Sequence, residues 1–341
     1  MKKILVIQTA FLGDVVLATA LVEKLKARYP DARLDFLLRK GNESLLLHHP
    51  FLHRVLIWDK QDGKYRNLWR LLRQIRSERY DLVLNLQRFG ATGLLTALSG
   101  AGETRGFDKN PFAPLFTRHF PHDVESGQHE VQRNHQLLAG CTDDQPGRPR
   151  LYPTTQDFAR VAPYKDSPFI CIAPTSVWFT KQYPLEKWAI LLDTLPASYH
   201  VYLLGSPADH TLVEQLRQAT NNQQVTNLCG QLNLLQSAAL MRDATLNYVN
   251  DSGPMHLASA LNAPTCAVYC STVPGFGFGP LADFARVVER EEPLYCRPCG
   301  LHGYKQCPQG HFKCARDIAN EQLLAVLAGA EQAASAGLLP R

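Results

Sequence analysis

Three polar turns in this sequence carry residue types that could do chemistry, and each follows a strand-like run. The first turn comes after residues 4–7 and ends in Gly13 and Asp14. A carboxylate at the start of a helix could act as a general base toward an incoming hydroxyl group. Asp is also among the best helix N-cap residues, so the spacing alone leaves both roles open.

The second turn, residues 174–184, contains two hydroxyl groups and a lysine. These are Thr175, Ser176 and Lys181, and they follow the apolar run 169–173. Hydroxyls, backbone N–H groups and an ammonium around a helix start are typical of a phosphate site. A polar loop with a surface lysine is the alternative interpretation.

The third turn has the most specific pattern and follows the run 246–249. Asp251 precedes Ser252 and Gly253, whose backbone N–H groups would lie at a helix N-terminus, and His256 comes about one turn later. This arrangement indicates a diphosphate cradle with a carboxylate beside it. The alternative makes Asp251 an N-cap and His256 a satisfied core histidine.

Four of the nine cysteines lie close together near the C-terminus, with two histidines between them. The segment opens with a C-x2-C pair, which is typical of structural zinc, but its later spacing matches no known zinc module. A disulfide and reduced packing thiols stay open as alternatives. The four residues are Cys296, Cys299, Cys307 and Cys314.

Basic residues form a stripe along a predicted helix over 65–79. A solvated helix face is one interpretation, and contact with acceptor or lipid phosphates is the other. The net charge of +5 suits anionic small ligands better than a nucleic-acid duplex, so we expect no nucleic-acid partner. The stripe consists of Arg66, Arg70, Arg73 and Arg76.

Strands that alternate with helices must position these turns. The length of 341 residues predicts two domains, which we place at 1–155 and 156–341. Apolar runs alternating with helical periodicity predict a doubly wound α/β fold with a parallel sheet in each domain, and residues 102–122 form a loop in this interpretation. Ligands of such sheets bind at the carboxyl ends of the strands. The last helix, about 320–331, could pack back on the first domain.

Several motifs that would point elsewhere are missing. The sequence has no G-x-G-x-x-G after the first strand, no P-loop, no H-E-x-x-H and no D-x-D. Charge on a leaving diphosphate would then be neutralised by protein groups, so we expect no cofactor and no divalent metal. No apolar run approaches 18 residues, which predicts no membrane span, and the N-terminus resembles a first strand more than a signal peptide. The odd number of cysteines without regular spacing indicates a reducing compartment, so we expect a cytoplasmic protein.

Three stretches resemble glycosyltransferase family 9, the ADP-heptose:lipopolysaccharide heptosyltransferases. The third of them matches the motif D-[ST]-G-x-x-H-x-A, and the cysteine-rich stretch before Asp317 is also similar to many members. The resemblance covers nearly the whole chain. The stretches are Leu12-Gly13-Asp14-Val15-Val16, Ala173–Ser176 with Lys181–Pro184, and Asp251–Ala258.

The resemblance implies a GT-B fold, two Rossmann-like domains that face each other across a cleft. It implies an inverting reaction in which Asp14 is the general base, with ADP-heptose on the second domain and a lipid A–core oligosaccharide on the first. Peripheral contact with the inner membrane surface fits such an acceptor. The implied donor-binding residues are Thr175, Ser176, Lys181, Asp251, Ser252, Gly253 and His256, and the acceptor set is Gly13, Arg66, Arg70, Arg105, Lys109 and Arg133.

Two positions depart from the family pattern. Gln8 stands where some members carry lysine, and Tyr183 stands where tryptophan is common. Both leave the identity of the acceptor open. A nucleotide-sugar 2-epimerase, a transferase of another activated sugar and a non-catalytic nucleotide-sugar-binding module stay as alternatives.

Overall fold

A computed structural model of the protein describes residues 1–61 and 63–338. The chain divides into two compact units, Met1–Tyr152 and Pro153–Arg341. Each unit contains one parallel sheet flanked by helices, so the α/β prediction is confirmed.

The first unit is built on a parallel sheet with strand order β3-β2-β1-β4-β5-β6. The central strand β1 contains the continuous apolar run Ile4–Ile7, which is fully buried because helices cover both faces of the sheet. The elements are β1 Lys3–Ile7, α1 Leu12–Arg28, β2 Arg33–Arg39, β3 Leu52–Trp58, α2 Lys64–Glu78, β4 Leu82–Asn85, α3 Gly90–Ala97, β5 Glu103–Phe107, β6 Arg118–Phe120 and α4 Glu130–His135.

The second unit repeats this design with strand order β12-β11-β10-β7-β8-β9. Its core joins the sheet to surrounding helices, with Trp188 and Tyr248 among the largest fully buried side chains. The elements are α5 Thr155–Val161, β7 Phe169–Ala173, α6 Leu185–Thr194, β8 His200–Leu203, α7 His210–Ala219, β9 Val225–Asn227, α8 Leu234–Arg242, β10 Leu246–Asn250, α9 Gly253–Ala260, β11 Thr265–Tyr269, β12 Ala285–Glu289, α10 Lys313–Arg316 and α11 Asn320–Ser335.

Both sheets change winding direction beside the predicted turns. In the first sheet this switch lies between β1 and β4, and in the second between β10 and β7. The crevice at the carboxyl ends of such strands is where doubly wound folds bind ligands. The turns after β1, β7 and β10 therefore stand where the fold favours a site.

The prediction of a loop over 102–122 was wrong, because this region contains β5 and β6. Both strands carry polar residues, and β6 is the edge strand of the sheet, so their apolar periodicity is weak. A Cβ on Gly106 would lie 2.6 Å from the Phe116 ring, which shows how closely the returning chain packs there. The helices α3 and α5 and the edge strand β12 were also missed.

The last helix, α11, packs within the second unit against α6 and β12. Its buried residues Leu323 and Leu327 belong to the core of that unit. No helix of the described residues is long and apolar enough to cross a membrane.

Candidate active site

Asp14 is the third residue of α1, at the carboxyl end of the central strand β1. The N-cap position belongs to Phe11, so the interpretation of Asp14 as an N-cap was wrong. Its carboxylate accepts a hydrogen bond from the backbone N–H of Phe11, one of the donors that the first helical turn leaves unpaired. Gly13 is next to it and partly buried.

Burial, and to a smaller extent the negative charge of Glu130, raise the pKa of Asp14 from 3.8 to about 6. Backbone hydrogen bonds and the positive charge of Arg39 act in the opposite direction. A carboxylate with a pKa of about 6 is still mostly ionised at neutral pH, and it is a stronger base than a solvated aspartate. This environment suits proton abstraction.

Glu130 is itself buried and lies on α4, which packs against α1. It accepts a hydrogen bond from Arg133 Nε at 2.8 Å, and His122 Nε2 lies 3.1 Å from its carboxylate. The Arg133 guanidinium also donates to the carbonyl oxygen of Gln128. The buried ion pair of Glu130 with Arg133 holds in place the negative charge that acts on Asp14.

Two members of the predicted acceptor set are buried within the first unit. Arg133 is 0 % exposed, and Arg105 is 3 % exposed. The Arg105 guanidinium donates to the carbonyl oxygens of Leu137 and Ala139 at 2.9 and 2.8 Å. Both arginines hold neighbouring backbone in place and leave almost no surface for direct contact with an acceptor, so the structure does not favour this part of the predicted acceptor set.

The other cations of that set are exposed. Arg66 and Arg70 lie on the outer face of α2, and Lys109 follows β5. In the described part of the chain none of these three takes part in an ion pair. Their side chains are available to solvent and to anions.

In the second unit, Lys181 and Asp251 form an ion pair. Lys181 Nζ lies 2.6 Å from Asp251 Oδ2, and Asp251 is 6 % exposed. The two residues come from the turns after β7 and β10, which are adjacent parallel strands. The prediction that these turns are neighbours is confirmed.

A buried asparagine holds these two turns together. Asn250, the last residue of β10, accepts a hydrogen bond from the backbone N–H of Tyr183 at 2.9 Å. Its amide donates to the carbonyl oxygen of Pro174 at 2.8 Å. The donor-loop candidates Thr175 and Ser176 follow directly, Thr175 buried and Ser176 partly buried.

The helix α9 begins at Gly253, and its N-cap is Ser252. Asp251 is therefore outside the helix, and its N-cap interpretation was wrong. The Ser252 side chain makes no capping hydrogen bond, so the first N–H groups of α9 are not capped by it. His256 lies one turn into the same helix and is buried.

The sequence analysis missed Thr272 and Ser271, which follow β11. Thr272 Oγ1 donates to Asp251 Oδ2 at 2.6 Å, and Ser271 Oγ donates to Thr180 Oγ1 at 3.0 Å. A third polar turn after a strand next to β10 was the signal that could have found them.

The cysteine-rich segment 296–314 packs against the turn that carries Lys181 and against the turn after β11. The backbone N–H of Tyr304 donates to Thr180 Oγ1 at 2.7 Å, and that of Cys299 donates to the carbonyl oxygen of Ser271 at 2.8 Å. All four cysteines are free thiols around one cavity of about 120 Å³. Across residues 1–61 and 63–338, no three histidine, cysteine or acidic side chains are arranged to hold a metal ion.

The fold, together with the turns after β7 and β10, defines a GT-B type glycosyltransferase. Solved structures of glycosyltransferases have the same fold. A structure of the Escherichia coli ADP-heptose lipopolysaccharide heptosyltransferase II aligns with a TM-score of 0.79 at 26% identity, covering 97% of this chain and 100% of that one. A glycosyltransferase family 9 structure from Veillonella parvula has a TM-score of 0.85 at 22% identity, covering 96% and 97%, and supports the fold alone.

The family follows from sequence comparison. A family model described as glycosyltransferase family 9 (heptosyltransferase) matches residues 68–305, and the chain belongs to this family. A lipopolysaccharide heptosyltransferase 3 of Escherichia coli is 28% identical over 281 residues, covering 77% of this chain and 82% of that protein. The chain is thus a glycosyltransferase, and the epimerase and binding-module alternatives are set aside.

Proposed function

We propose that this protein transfers heptose from ADP-heptose to the inner core of lipopolysaccharide, or to a related glycolipid, by an inverting reaction. Relatives that are lipopolysaccharide heptosyltransferases support the acceptor class. The similarity to an ADP-heptose lipopolysaccharide heptosyltransferase supports the donor.

The observation that carries the proposed mechanism is the environment of Asp14. Its carboxylate takes the proton of the acceptor hydroxyl, and the hydroxyl oxygen attacks the anomeric carbon of the donor. The bond between that carbon and the diphosphate oxygen breaks, and ADP leaves with the electron pair. One base and one displacement invert the anomeric configuration. A pKa of about 6 lets Asp14 accept this proton at neutral pH.

The second unit would hold the donor. Lys181 neutralises charge that builds up on the leaving diphosphate, and the N–H groups at the start of α9 donate to it. Asp251 then turns from the lysine toward heptose hydroxyls, with Thr175, Ser176 and His256 completing the pocket. In the free protein, the Lys181–Asp251 pair keeps both charges satisfied.

These protein groups would make a divalent metal unnecessary. We expect full turnover in excess EDTA, because Lys181 and the helix start supply the positive potential. Loss of turnover in EDTA that added magnesium restores would contradict this part of the proposal.

The exposed face of α2 would meet the acceptor and the membrane surface around it. Tyr65 is 71 % exposed and Trp69 is 53 % exposed, on a helix whose outer face also carries Arg66, Arg70 and Arg73. Aromatic rings with cations are typical of helices that lie at a membrane interface. Binding to vesicles that contain anionic lipid, lost in Tyr65→Ser/Trp69→Ser, tests this contact, and equal sedimentation of both proteins would contradict it.

The central experiment is a turnover assay with ADP-heptose and a heptose-free lipopolysaccharide core acceptor. We expect transfer with this pair, with inversion read from the anomeric coupling in the product. Parallel reactions with UDP-, GDP- and CMP-sugars test the alternative of another activated donor. Transfer only from one of those donors would overturn the donor assignment.

A further inference from the structure

Four thiols line one cavity of the second unit, and Thr180, from the turn that carries the donor-site lysine, lines it as well. Cys296, Cys299 and Cys307 are partly buried, and Cys314 is buried. The proposed transfer reaction uses none of these thiols. Thiols that share a cavity are candidates for thiol–disulfide exchange, because the sulfur that attacks and the sulfur that resolves are both at hand.

A histidine faces the sulfur of Cys296. His311 Nε2 lies 3.9 Å from Cys296 Sγ. The other ring nitrogen, Nδ1, accepts a hydrogen bond from the backbone N–H of Lys313 at 3.0 Å. The neutral ring therefore carries its proton on Nε2, and this N–H can donate to the sulfur. A hydrogen bond of this kind favours the thiolate, which is the form of cysteine that attacks disulfides.

Cys299 is the next thiol along the chain and completes a C-x2-C pair. Its Sγ lies 3.7 Å from the carbonyl oxygen of Cys296, so the side chain is directed toward that residue. Burial, and to a smaller extent the neighbouring Cys296 and Cys307, raise the pKa of the Cys299 thiol. A thiol with a hydrogen-bond donor beside it, followed by one that stays protonated, is typical of an attacking and a resolving cysteine.

The C-x2-C pair is fastened to the turn after β11. The backbone N–H of Cys299 donates to the carbonyl oxygen of Ser271 at 2.8 Å, and the Arg297 guanidinium donates to that of Thr272 at 2.6 Å. Thr272 Oγ1 in turn donates to Asp251 Oδ2 at 2.6 Å. A disulfide would hold the two Cβ atoms about 4 Å apart and would take Cys299 Sγ away from the carbonyl oxygen that it contacts now. Closing the pair therefore rearranges the segment that positions Asp251.

We propose that Cys296 and Cys299 form a reversible redox site, and that its oxidation lowers the affinity of the second unit for the nucleotide donor. The oxidant is a small disulfide of the glutathione class. The Cys296 thiolate attacks one sulfur of this disulfide, which forms a mixed disulfide and releases one thiolate. The Cys299 thiolate then attacks the sulfur of Cys296, and the second thiolate leaves.

This exchange is balanced in electrons and protons. Two cysteine thiols are oxidised to one disulfide, and the small disulfide is reduced to two thiols. The protons of the two cysteines pass to the two thiolates that leave. The effect on the donor rests on the proposed function, whereas the exchange between Cys296 and Cys299 does not depend on it.

The alternatives are thiols that only fill space and thiols that hold a metal ion. Thiols that only fill space would react slowly and would not affect nucleotide binding. A metal ion would protect its ligands from alkylation. The described side chains favour the redox site over a metal site, because among residues 1–61 and 63–338 no three histidine, cysteine or acidic groups are arranged as metal ligands.

The first experiment measures thiol reactivity in the reduced full-length protein. Brief alkylation with iodoacetamide, followed by peptide mass spectrometry, gives the rate at each cysteine. We expect Cys296 to react at least about tenfold faster than Cys307, which lines the same cavity, and we expect His311→Gln to remove most of this difference. Equal rates at Cys296 and Cys307 would overturn the site. One bound metal ion per chain that protects all four thiols would overturn it as well.

The second experiment measures nucleotide binding in both redox states. The protein is equilibrated with glutathione disulfide or with dithiothreitol, and its affinity for ADP is measured by calorimetry. We expect the oxidised protein to contain a disulfide between Cys296 and Cys299 and to bind ADP about tenfold more weakly. Dithiothreitol should restore the affinity.

Three variants control this experiment. Cys296→Ser should bind ADP as the reduced parent does and should lose the response to glutathione disulfide, because the attacking sulfur is gone. Cys299→Ser should keep one glutathione on Cys296, because the second step cannot follow. Cys307→Ser, the matched control, should respond as the parent does.

Equal ADP affinity in the two redox states, or a disulfide between other cysteines, would contradict the proposal. If the protein binds no ADP in either state, the proposed donor assignment fails. The alkylation rate of Cys296 and the position of the disulfide still decide whether the redox site exists. Failure of the redox site and failure of the proposed function are therefore distinguishable.

Discussion

Lys181 Nζ lies 2.6 Å from Asp251 Oδ2, and Thr272 Oγ1 donates to the same carboxylate oxygen at 2.6 Å. The lysine and the aspartate are seventy positions apart in the sequence and meet because β7 and β10 are adjacent. A mostly buried lysine whose partner can be exchanged for a diphosphate is well suited to a donor site.

The second unit provides an internal control for this pair. Lys165 and Asp243 form another ion pair, at 2.5 Å, and they precede the same two strands at the opposite end of the sheet. We expect Lys181→Ala to lower kcat/KM for the donor by about 10²–10³, and Lys165→Ala to change it less than about threefold. Steady-state kinetics on both variants measures this, and equal losses would argue against a donor role for Lys181.

Asp14→Asn should remove the base without removing the donor site. We expect kcat to fall by about 10²–10⁴, while the affinity for the ADP-sugar stays within about tenfold. Asp31→Asn, an exposed aspartate in the same unit, is the matched control. Turnover and calorimetric titration give the two quantities, and a variant that retains turnover would rule out the assigned role.

The pH dependence of the reaction should report the environment of Asp14. Because burial and Glu130 raise its pKa to about 6, kcat/KM for the acceptor should fall as the pH drops through about 6. Glu130→Gln removes one cause of the raised pKa, so the midpoint of this fall should move to lower pH. Glu125→Gln, at an exposed position nearby, should leave it in place. An unmoved midpoint in Glu130→Gln would contradict the coupling.

The same raised pKa has a consequence for stability. A carboxyl group whose pKa is raised by folding contributes stability at low pH that is lost as the pH rises through its folded value. For a change from 3.8 to about 6, the loss is at most about 3 kcal/mol. Asp14→Asn should therefore be more stable than the parent at pH 8 and lose this advantage near pH 4. Thermal unfolding at both pH values tests it, and an equal gain at both would be inconsistent with the cause.

Substitutions at two glycines of the cysteine-rich segment distinguish the effect of backbone strain from the effect of contact with the loop that carries Lys181. Gly303 and Gly310 both have positive φ angles, of +76° and +71°, but only a Cβ on Gly303 would meet atoms of the donor loop, with Thr180 Oγ1 at 2.8 Å. We expect Gly303→Ala and Gly310→Ala to share a strain cost of about 1 kcal/mol. Gly303→Ala alone should raise KM for the donor, because it displaces the loop that carries Lys181. Equal donor KM values in the two variants would show that this contact does not position the loop.

The alternation of strands and helices could be predicted from the sequence, and so could the three polar turns that follow β1, β7 and β10. These features are local, since apolar periodicity and helix starts depend on neighbouring residues. The edge strands β6 and β12 escaped prediction because strands at a sheet edge need less continuous apolar sequence, and β5, next to β6, escaped it because its sequence is polar. The motif around Asp251 was readable for the same local reason.

Which residues share a site depends on tertiary packing and could not be predicted from local sequence. Arg133 and Arg105 look like free cations in the sequence, but packing buries both and pairs them with carboxylates and backbone carbonyls. Lys60 showed no local signal, and strand adjacency brought it to Thr9. Thr272 lies in a polar turn, but only the pairing of β10 with β11 brings it to Asp251. Burial and charge at a distance set the pKa of Asp14, and both depend on chain segments far apart in sequence.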